Sequence, residues 1–235
     1  MEQRENKVGK LYGLGVGPGD SELMTLKAAR LVRECDIIAI PVSGKEINVA
    51  FEIAKGAVPE IVDKELLEVS MPMIRDAVKL QESHEAATDK IILELEKGKD
   101  VAFLTLGDPS IYSTYIYIHE RVVVRGYDAE MIPGIPSFCA VAARLNESLT
   151  EAGEVLHIIP ASYEGIEEAL ALKGTRVLMK TGKSIEKIKT LIGEMNHSPS
   201  VKMVERCGME GERVFTRLED IDESTSYFSI LVVKD

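Results

Sequence analysis

The sequence predicts an α/β protein of two α/β domains, an N-terminal domain with a parallel sheet and a C-terminal domain with a mixed sheet. Two observations predict this fold class. Short apolar runs alternate with amphipathic stretches as far as Leu145, which is typical of parallel βαβ units. Beyond Gly153 the apolar runs lie closer together, which indicates some antiparallel pairing. The polar stretch Asn146–Gly153 separates the two patterns, so we place the domains at residues 1–147 and 148–235.

The N-terminal domain begins with a predicted strand, Lys10–Val16. A turn rich in Gly and Pro follows this strand and extends to Asp20. Thr25 and Asn48 are the residue types that cap helices, and Gly98 is typical of a helix end. The other elements follow in alternation: helix Thr25–Glu34, strand Asp36–Pro41, helix Asn48–Ala57, strand Ile61–Val69, helix Ala77–Lys97, strand Val101–Leu106, helix Tyr112–Arg125, strand Asp128–Ile132 and helix Ser137–Leu145.

The C-terminal domain is predicted to contain strands interrupted by two helices. Because ligands of parallel α/β sheets bind beyond the carboxyl ends of the strands, we expect the functional edge where the N-terminal strands end in glycine-rich loops. The predicted C-terminal strands are Val155–Ala161, Arg176–Met179, Ser200–Val204, Arg213–Thr216 and Tyr227–Val233.

Composition and charge exclude several classes of protein. The net charge of −11 is opposite to that of a nucleic-acid binder. Cys35–Val42, one of the longest apolar runs, is far shorter than the roughly 20 residues of a membrane span. Met1–Lys10 is polar, so we expect no signal peptide, no membrane association and a cytoplasmic location. The 3 cysteines and 4 histidines form no ligand spacing, so we expect no protein-bound metal.

The loop Gly13–Asp20, called here the first loop, has the glycines of a nucleotide-binding loop but not their spacing. A dinucleotide fingerprint that starts at Gly13 needs glycine where Pro18 stands, and one that starts at Gly15 needs glycine at Asp20. The Walker pattern fails because no Gly-Lys-Ser/Thr follows the loop. The segment alone fits either a ligand-facing loop or an ordinary tight turn.

Gly107-Asp108-Pro109, the second loop, follows the predicted strand Val101–Leu106. A carboxylate at this position can accept hydrogen bonds from the ribose or ammonium group of a ligand, and glycine allows a ligand close to the backbone. Asp-Pro is equally typical of an ordinary turn, so both interpretations stay open.

Together with Pro133-Gly134-Ile135, these loops carry a family resemblance. Gly15–Asp20 reads G-x-G-P-G-D, and with the second loop and a later P-G-I in this order, the chain resembles the tetrapyrrole methylases over nearly its whole length. The resemblance implies methyl transfer from S-adenosylmethionine, held in a cleft between two α/β domains, to a polycarboxylate tetrapyrrole. It also implies a homodimer.

Gly107–Tyr115 resembles the branch of that family that methylates carbon 20 of precorrin-2, or of its cobalt form, in cobalamin synthesis. The resemblance implies substrate contacts at Ser43, Tyr112 and Ser113, and it identifies no catalytic base. The cofactor contacts that it implies are Pro18, Leu106, Gly107, Asp108, Ile111, Tyr112, Pro136, Ser137, Met179 and Cys207.

Other interpretations stay open. Tyr112, Tyr115 and His119 share one face of a predicted helix, where they either line a macrocycle pocket or cover the core. The chain could also be a nucleotide-binding module without catalysis, or a methyltransferase for another tetrapyrrole, a protein or RNA, although the charge weighs against RNA. Candidate cations for substrate carboxylates are Lys45, Arg75, Lys180 and Arg206.

Overall fold

The computed structural model describes residues 7–43, 48–74, 76–161, 165–195, 197–222 and 224–235. The chain divides into two compact units, Met1–Pro136 and Ser137–Asp235. The division precedes the expected boundary between residues 147 and 148 because helix Ser137–Leu145, which the sequence assigned to the first domain, packs on strands of the second unit.

The first unit contains a five-stranded parallel sheet, as the sequence predicted. Leu11 pairs with both Val101 and Ala129, and Gly15 pairs with Thr105, so three neighbouring strands end at the same sheet edge. The strands are β1 (Leu11–Gly15), β2 (Ile37–Val42), β3 (Glu65–Ser70), β4 (Val101–Thr105) and β5 (Ala129–Ile132), in the spatial order β3-β2-β4-β1-β5.

Helices cover both faces of this sheet. The helices are α1 (Leu26–Glu34), α2 (Val49–Ala57), α3 (Ala77–Glu96) and α4 (Tyr115–Val124). Side chains of β2 alternate between the two faces: Ile38 and Ile40 join the core under α1 and α2, whereas Ile37 and Ala39 join the core under α3 and α4. Burial on both faces explains why the inner strands β2 and β4 are continuously apolar.

The helix starts follow from side-chain caps. Thr25 Oγ1 accepts a hydrogen bond of 3.2 Å from Ala28 N, and Asn48 Oδ1 accepts one of 2.9 Å from Phe51 N. Each cap satisfies a main-chain N–H that has no partner within its helix. Both predicted caps are therefore confirmed.

Two predicted elements of the first unit begin several residues later than expected. The strand expected over Ile61–Val69 is replaced at its start by a 3₁₀ turn, Pro59–Asp63, because proline at the first position fixes the backbone for a helical turn. The helix expected from Tyr112 begins at Tyr115. Tyr112 has a φ of +47°, a left-handed conformation that cannot continue a right-handed helix.

The second unit contains a five-stranded mixed sheet, also as predicted. Its elements are α5 (Ser137–Leu145), β6 (Leu156–Pro160), α6 (Ile166–Leu170), β7 (Thr175–Met179), α7 (Ile185–Gly193), β8 (Ser200–Glu205), β9 (Arg213–Phe215) and β10 (Ser229–Lys234). The spatial order is β6-β7-β10-β8-β9, with β6 parallel to β7 and with β10 antiparallel to both β7 and β8. Ile166 of α6 and Ile188 of α7 pack in one core with Leu178 and Leu231.

No helix within the described residues combines the length and the apolar character needed to cross a membrane.

Candidate functional site

The first and second loops are joined by their backbones beyond the ends of β1 and β4. Gly107 N donates a hydrogen bond of 2.8 Å to Gly17 O, and Gly17 N donates one of 3.3 Å to Gly107 O. This antiparallel bridge continues the pairing of the two strands past their carboxyl ends. The two loops therefore hold a fixed position relative to each other.

The third loop, Pro133–Pro136, passes so close to the other two that only glycine fits. A Cβ atom on Gly134 would lie 2.1 Å from Gly107 O, and one on Gly15 would lie 2.5 Å from Gly134 N. The atoms that block the space are main-chain atoms, which cannot rotate away as a side chain could. We call this meeting point of Gly15, Gly107 and Gly134 the glycine crossing.

The carboxylate of Asp108 stabilises the glycine crossing from inside the first unit. Asp108 is 8% exposed, and its Oδ2 accepts a hydrogen bond of 2.9 Å from Gly134 N. Its Oδ1 accepts from Ser110 N at 2.8 Å and from Ser110 Oγ. Asp108 thus closes its own turn and ties the second loop to the third; its predicted contact with a ligand stays a prediction.

The loops were predictable from the sequence, but the hydrogen bonds by which Asp108 joins the second loop to the third were not predicted. The Asp-x-Ser pattern of Asp108 to Ser110 is typical of an Asx turn, so that half of the tie has a sequence signal. The half that reaches Gly134 has none, because it depends on how β4 and β5 are placed around β1.

Tyr112 stands in a strained backbone next to the second loop. Its φ is +47° and its side chain is 47% exposed, whereas Ile111, directly before it, and Leu106, directly before the second loop, are half-buried. A left-handed conformation costs a bulky residue roughly 1–2 kcal/mol, and such outliers cluster at ligand sites. Ser113 Oγ accepts a hydrogen bond of 3.1 Å from Tyr115 N, so this hydroxyl helps to begin α4.

Tyr115 belongs to the core, which decides between the two interpretations of this residue. Its side chain is 0% exposed, and a Cβ atom on Gly13 would lie 2.1 Å from Tyr115 Cε1. Burial raises the pKa of the Tyr115 hydroxyl, which lies 3.1 Å from His119 Nδ1. Burial also lowers the pKa of the half-buried His119.

The remaining predicted site residues of the first unit lie at strand ends. Pro18 follows Gly17 of the backbone bridge and is buried, and Pro136 ends the third loop. Ser43 is exposed directly after β2. The structure thus brings Pro18 together with Gly107 and Asp108, while Ser43 lies at the end of a different strand.

Three of the predicted cofactor contacts lie in the second unit. Ser137 begins α5, and Met179 ends β7 with 8% exposure. Cys207 follows β8 and is half-buried. Burial raises the pKa of its thiol to about 11, so the uncharged thiol predominates at neutral pH.

Of the four candidate cations, Lys45 and Arg75 lie outside the described residues. Lys180 follows β7 with a φ of +62°, and Arg206 follows β8 with a φ of +52°. In the described parts of the chain, no three His, Cys, Asp or Glu side chains form a group that could hold a metal ion.

Solved structures share this fold. A cobalt precorrin-4 methyltransferase superposes with a TM-score of 0.74 at 21% identity, covering 96% of this chain and 94% of that one. A uroporphyrin-III C-methyl transferase from Thermus thermophilus, complexed with S-adenosyl homocysteine, superposes with a TM-score of 0.71 at 21% identity, covering 96% and 92%. The fold is therefore that of an α/β methyltransferase with two units.

The chain belongs to the tetrapyrrole (corrin/porphyrin) methylases, whose family model matches residues 10–222, and it is a methyltransferase. The probable cobalt-precorrin-2 C(20)-methyltransferase of Methanocaldococcus jannaschii is 36% identical, covering 97% of this chain and 96% of that protein. The cobalt-precorrin-2 C(20)-methyltransferase of Salmonella typhimurium is 30% identical, covering 96% of each chain. The precorrin-2 C(20)-methyltransferase of a Sinorhizobium species is 29% identical, covering 96% and 95%.

Proposed function

We propose that this chain transfers the methyl group of S-adenosylmethionine to carbon 20 of precorrin-2 or cobalt-precorrin-2 in cobalamin biosynthesis. The observation that carries the proposal is the similarity to C(20)-methyltransferases along nearly the full length of both chains, at 36% identity for the Methanocaldococcus jannaschii protein. The methylases of other tetrapyrroles share the fold at 21% identity, which supports the family rather than this branch.

The residues around the glycine crossing fit the cofactor. Leu106 and Ile111 are half-buried apolar side chains beside main-chain polar groups, and Tyr112 is exposed in a strained backbone. Apolar walls with a few fixed polar groups are typical of small-molecule sites and suit an adenine ring. The proposed cofactor contacts are Pro18, Leu106, Gly107, Asp108, Ile111, Tyr112, Pro136 and Ser137, with Met179 and Cys207.

Methyl transfer from S-adenosylmethionine requires little of the protein beyond the positioning of donor and acceptor. When bound, the cofactor supplies a methyl group already activated on a sulfonium. The side chains therefore have to hold donor and acceptor in line and exclude water, and neither a metal nor a protein nucleophile is required. Cys207 fits this role as a neutral wall residue, since its thiol stays protonated at neutral pH.

Proton loss from carbon 20 follows the transfer. Asp108 is engaged by Gly134 and Ser110, so we assign its carboxylate to loop geometry rather than to removal of this proton. The candidates for the acceptor of this proton are Tyr112 and a carboxylate of the substrate. We also propose substrate contacts at Ser43, Tyr112 and Ser113.

We further propose that the enzyme acts as a homodimer in the cytoplasm. The family resemblance supports the dimer, and the cysteines Cys35, Cys139 and Cys207, which form no disulfide, fit a reducing compartment. Light scattering during size-exclusion chromatography tests the dimer, and a monomer at micromolar concentration would contradict it.

The deciding experiment is anaerobic incubation with S-adenosylmethionine and either precorrin-2 or cobalt-precorrin-2, followed by mass spectrometry of the product. We expect one added methyl group, located at carbon 20 by isotope labelling. Transfer only to a different tetrapyrrole, a protein or RNA would overturn the assignment of substrate. Calorimetric binding of ATP or NAD without binding of S-adenosylhomocysteine would instead support a nucleotide-binding module.

A further inference from the structure

Two cations of the second unit occupy backbone conformations that glycine would adopt without strain. Lys180 has a φ of +62° and Arg206 a φ of +52°. Each conformation costs a residue with a long side chain roughly 1–2 kcal/mol relative to the right-handed region. A fold that only needed a sharp turn after β7 and β8 would be more stable with glycine at both places. The strain therefore marks positions where the side chain matters.

The two cations extend from the same edge of the mixed sheet. Met179 of β7 and Val204 of β8 both pair with Ile230 of the intervening strand β10. Strands two apart in a sheet are separated by about 10 Å. Lys180 directly follows β7 and Arg206 directly follows β8, so their main chains leave this edge about two strand spacings apart.

An aromatic side chain lies at this edge with them. Tyr227, which directly precedes Phe228 and the start of β10, is 46% exposed. Lys180 Nζ lies 5.4 Å from the centroid of the Tyr227 ring, within the range of a cation–π contact. Because the ring is half-exposed, it still presents apolar surface to a ligand.

The negative charge of Glu205, the residue directly before Arg206, is offset within the second unit. Glu205 is 3% exposed and accepts hydrogen bonds of 2.6 Å from Arg213 Nε and 2.5 Å from Ser226 N. The guanidinium of Arg213 thus offsets the charge of Glu205 within the unit. Arg206 donates its Nε to the main-chain oxygen of Glu210 at 2.7 Å, a neutral acceptor that does not itself offset the positive charge.

We propose that Lys180, Arg206 and Tyr227 form a specificity site of the second unit, in which the two cations bind carboxylate arms of the tetrapyrrole and Tyr227 contacts its ring. This inference rests on the proposed function. A chain with a net charge of −11 repels a polycarboxylate, so it needs a local pair of cations to hold one. Charge-assisted hydrogen bonds to carboxylates are the interaction that fits both side chains.

The test compares steady-state kinetics of the wild type with those of Lys180→Gln, Arg206→Gln and the double variant. Glutamine keeps polarity and bulk but removes the charge. We expect KM for the tetrapyrrole to rise roughly tenfold per substitution, the size of one charge-assisted bond, while kcat and the Kd of S-adenosylhomocysteine stay within about twofold. The rise of KM with ionic strength should be shallower in the double variant.

Two further sets of variants distinguish a loss of substrate binding from general damage to the fold. Lys173→Gln removes an exposed cation before β7 and should leave KM unchanged. Lys180→Gly and Arg206→Gly relax the backbone, so these variants should fold at least as well as the wild type and show the same rise in KM. Arg206→Lys keeps the charge and should restore most of the affinity.

An unchanged KM in the double variant, with an active wild type, would overturn the inference. So would an equal rise in Lys173→Gln. Failure of the proposed function appears separately, as absence of methyl transfer by the wild type. In that case fluorescence titration with an octacarboxylate porphyrin decides: equal binding by the wild type and the double variant rejects the specificity site.

Discussion

Gly134 N donates a hydrogen bond of 2.9 Å to Oδ2 of Asp108, across a sequence separation of 26 residues. This bond joins the loop after β5 to the loop after β4, at the place where the backbones cross too closely for any side chain. A buried carboxylate and a glycine nitrogen thus define the geometry of the edge at which we propose that the cofactor binds.

We predict that Asp108→Asn lowers the free energy of unfolding by roughly 1–3 kcal/mol, because the amide nitrogen cannot accept one of the buried hydrogen bonds. S-adenosylhomocysteine affinity should fall in parallel, as the loops lose their alignment. Urea denaturation and calorimetry measure the two effects, with Asp63→Asn, an exposed carboxylate of the same unit, as the control. Lost affinity at unchanged stability would show that Asp108 acts by direct contact with the ligand instead.

Gly134→Ala should be among the most damaging single-methyl additions in this chain. The new Cβ would lie 2.1 Å from Gly107 O, so the second and third loops would have to move apart. We expect a loss of stability of about 2 kcal/mol or more, by the mechanism of overpacking, in thermal or urea unfolding. Gly193→Ala is the matched control, since nothing lies within 4 Å of its Cβ position. Comparable behaviour of both variants would contradict the glycine crossing.

The Tyr115→Phe variant tests whether Tyr115 is a core residue or a residue that binds the substrate. The substitution removes only the hydroxyl, which lies 3.1 Å from His119 Nδ1. We expect a loss of about 1 kcal/mol in stability, the usual value for one hydrogen bond, with kcat and KM unchanged. A several-fold change in KM for the tetrapyrrole, at unchanged stability, would return Tyr115 to the macrocycle pocket.

Stability should decline in acid partly through Glu130. Lys10 and Lys27 each donate a hydrogen bond of 2.7 Å to this carboxylate, and the bond from Lys10 contributes most to holding its pKa at about 2. Because the folded pKa lies below the ordinary value of 4.5, the contribution is complete above pH 4.5 and disappears as the pH falls towards 2. Its size is below about 1 kcal/mol, since the groups are partly exposed.

Urea denaturation at pH 5 and pH 3 measures this effect. Glu130→Gln should flatten the decline between the two values, whereas Glu68→Gln, at an exposed position of β3, should not. An identical decline in the wild type and Glu130→Gln would exclude this ion pair as a contributor.

Local signals predicted the elements that depend on local chemistry. Apolar runs located the parallel strands, and Thr25 and Asn48 located helix starts, because a strand buried on both faces and a capped helix each need particular residues at fixed positions. Tyr112 shows the limit of this reasoning. Its sequence neighbours suit a helix, and the left-handed backbone that delays α4 to Tyr115 has no local signal.

The candidate site was predictable as motifs but not as an arrangement. The residue types of Gly15, Gly107 and Gly134 were visible, but the close packing that requires them depends on strand order, which links residues far apart in the chain. The same is true of the domain boundary. The amphipathic pattern of α5 does not indicate which of the two sheets the helix packs on. Its contacts with β8 and β10 place it in the second unit.

The glycine crossing also constrains how this protein could acquire a new substrate. Loops at the ends of parallel strands usually vary in length independently, which lets one scaffold host many chemistries. Here the backbones of Gly15, Gly107 and Gly134 interlock, so lengthening one loop would displace the other two. We therefore expect that grafting longer loops onto this edge of the sheet disrupts the glycine crossing. A change of substrate specificity then requires substitution of the side chains that border the edge.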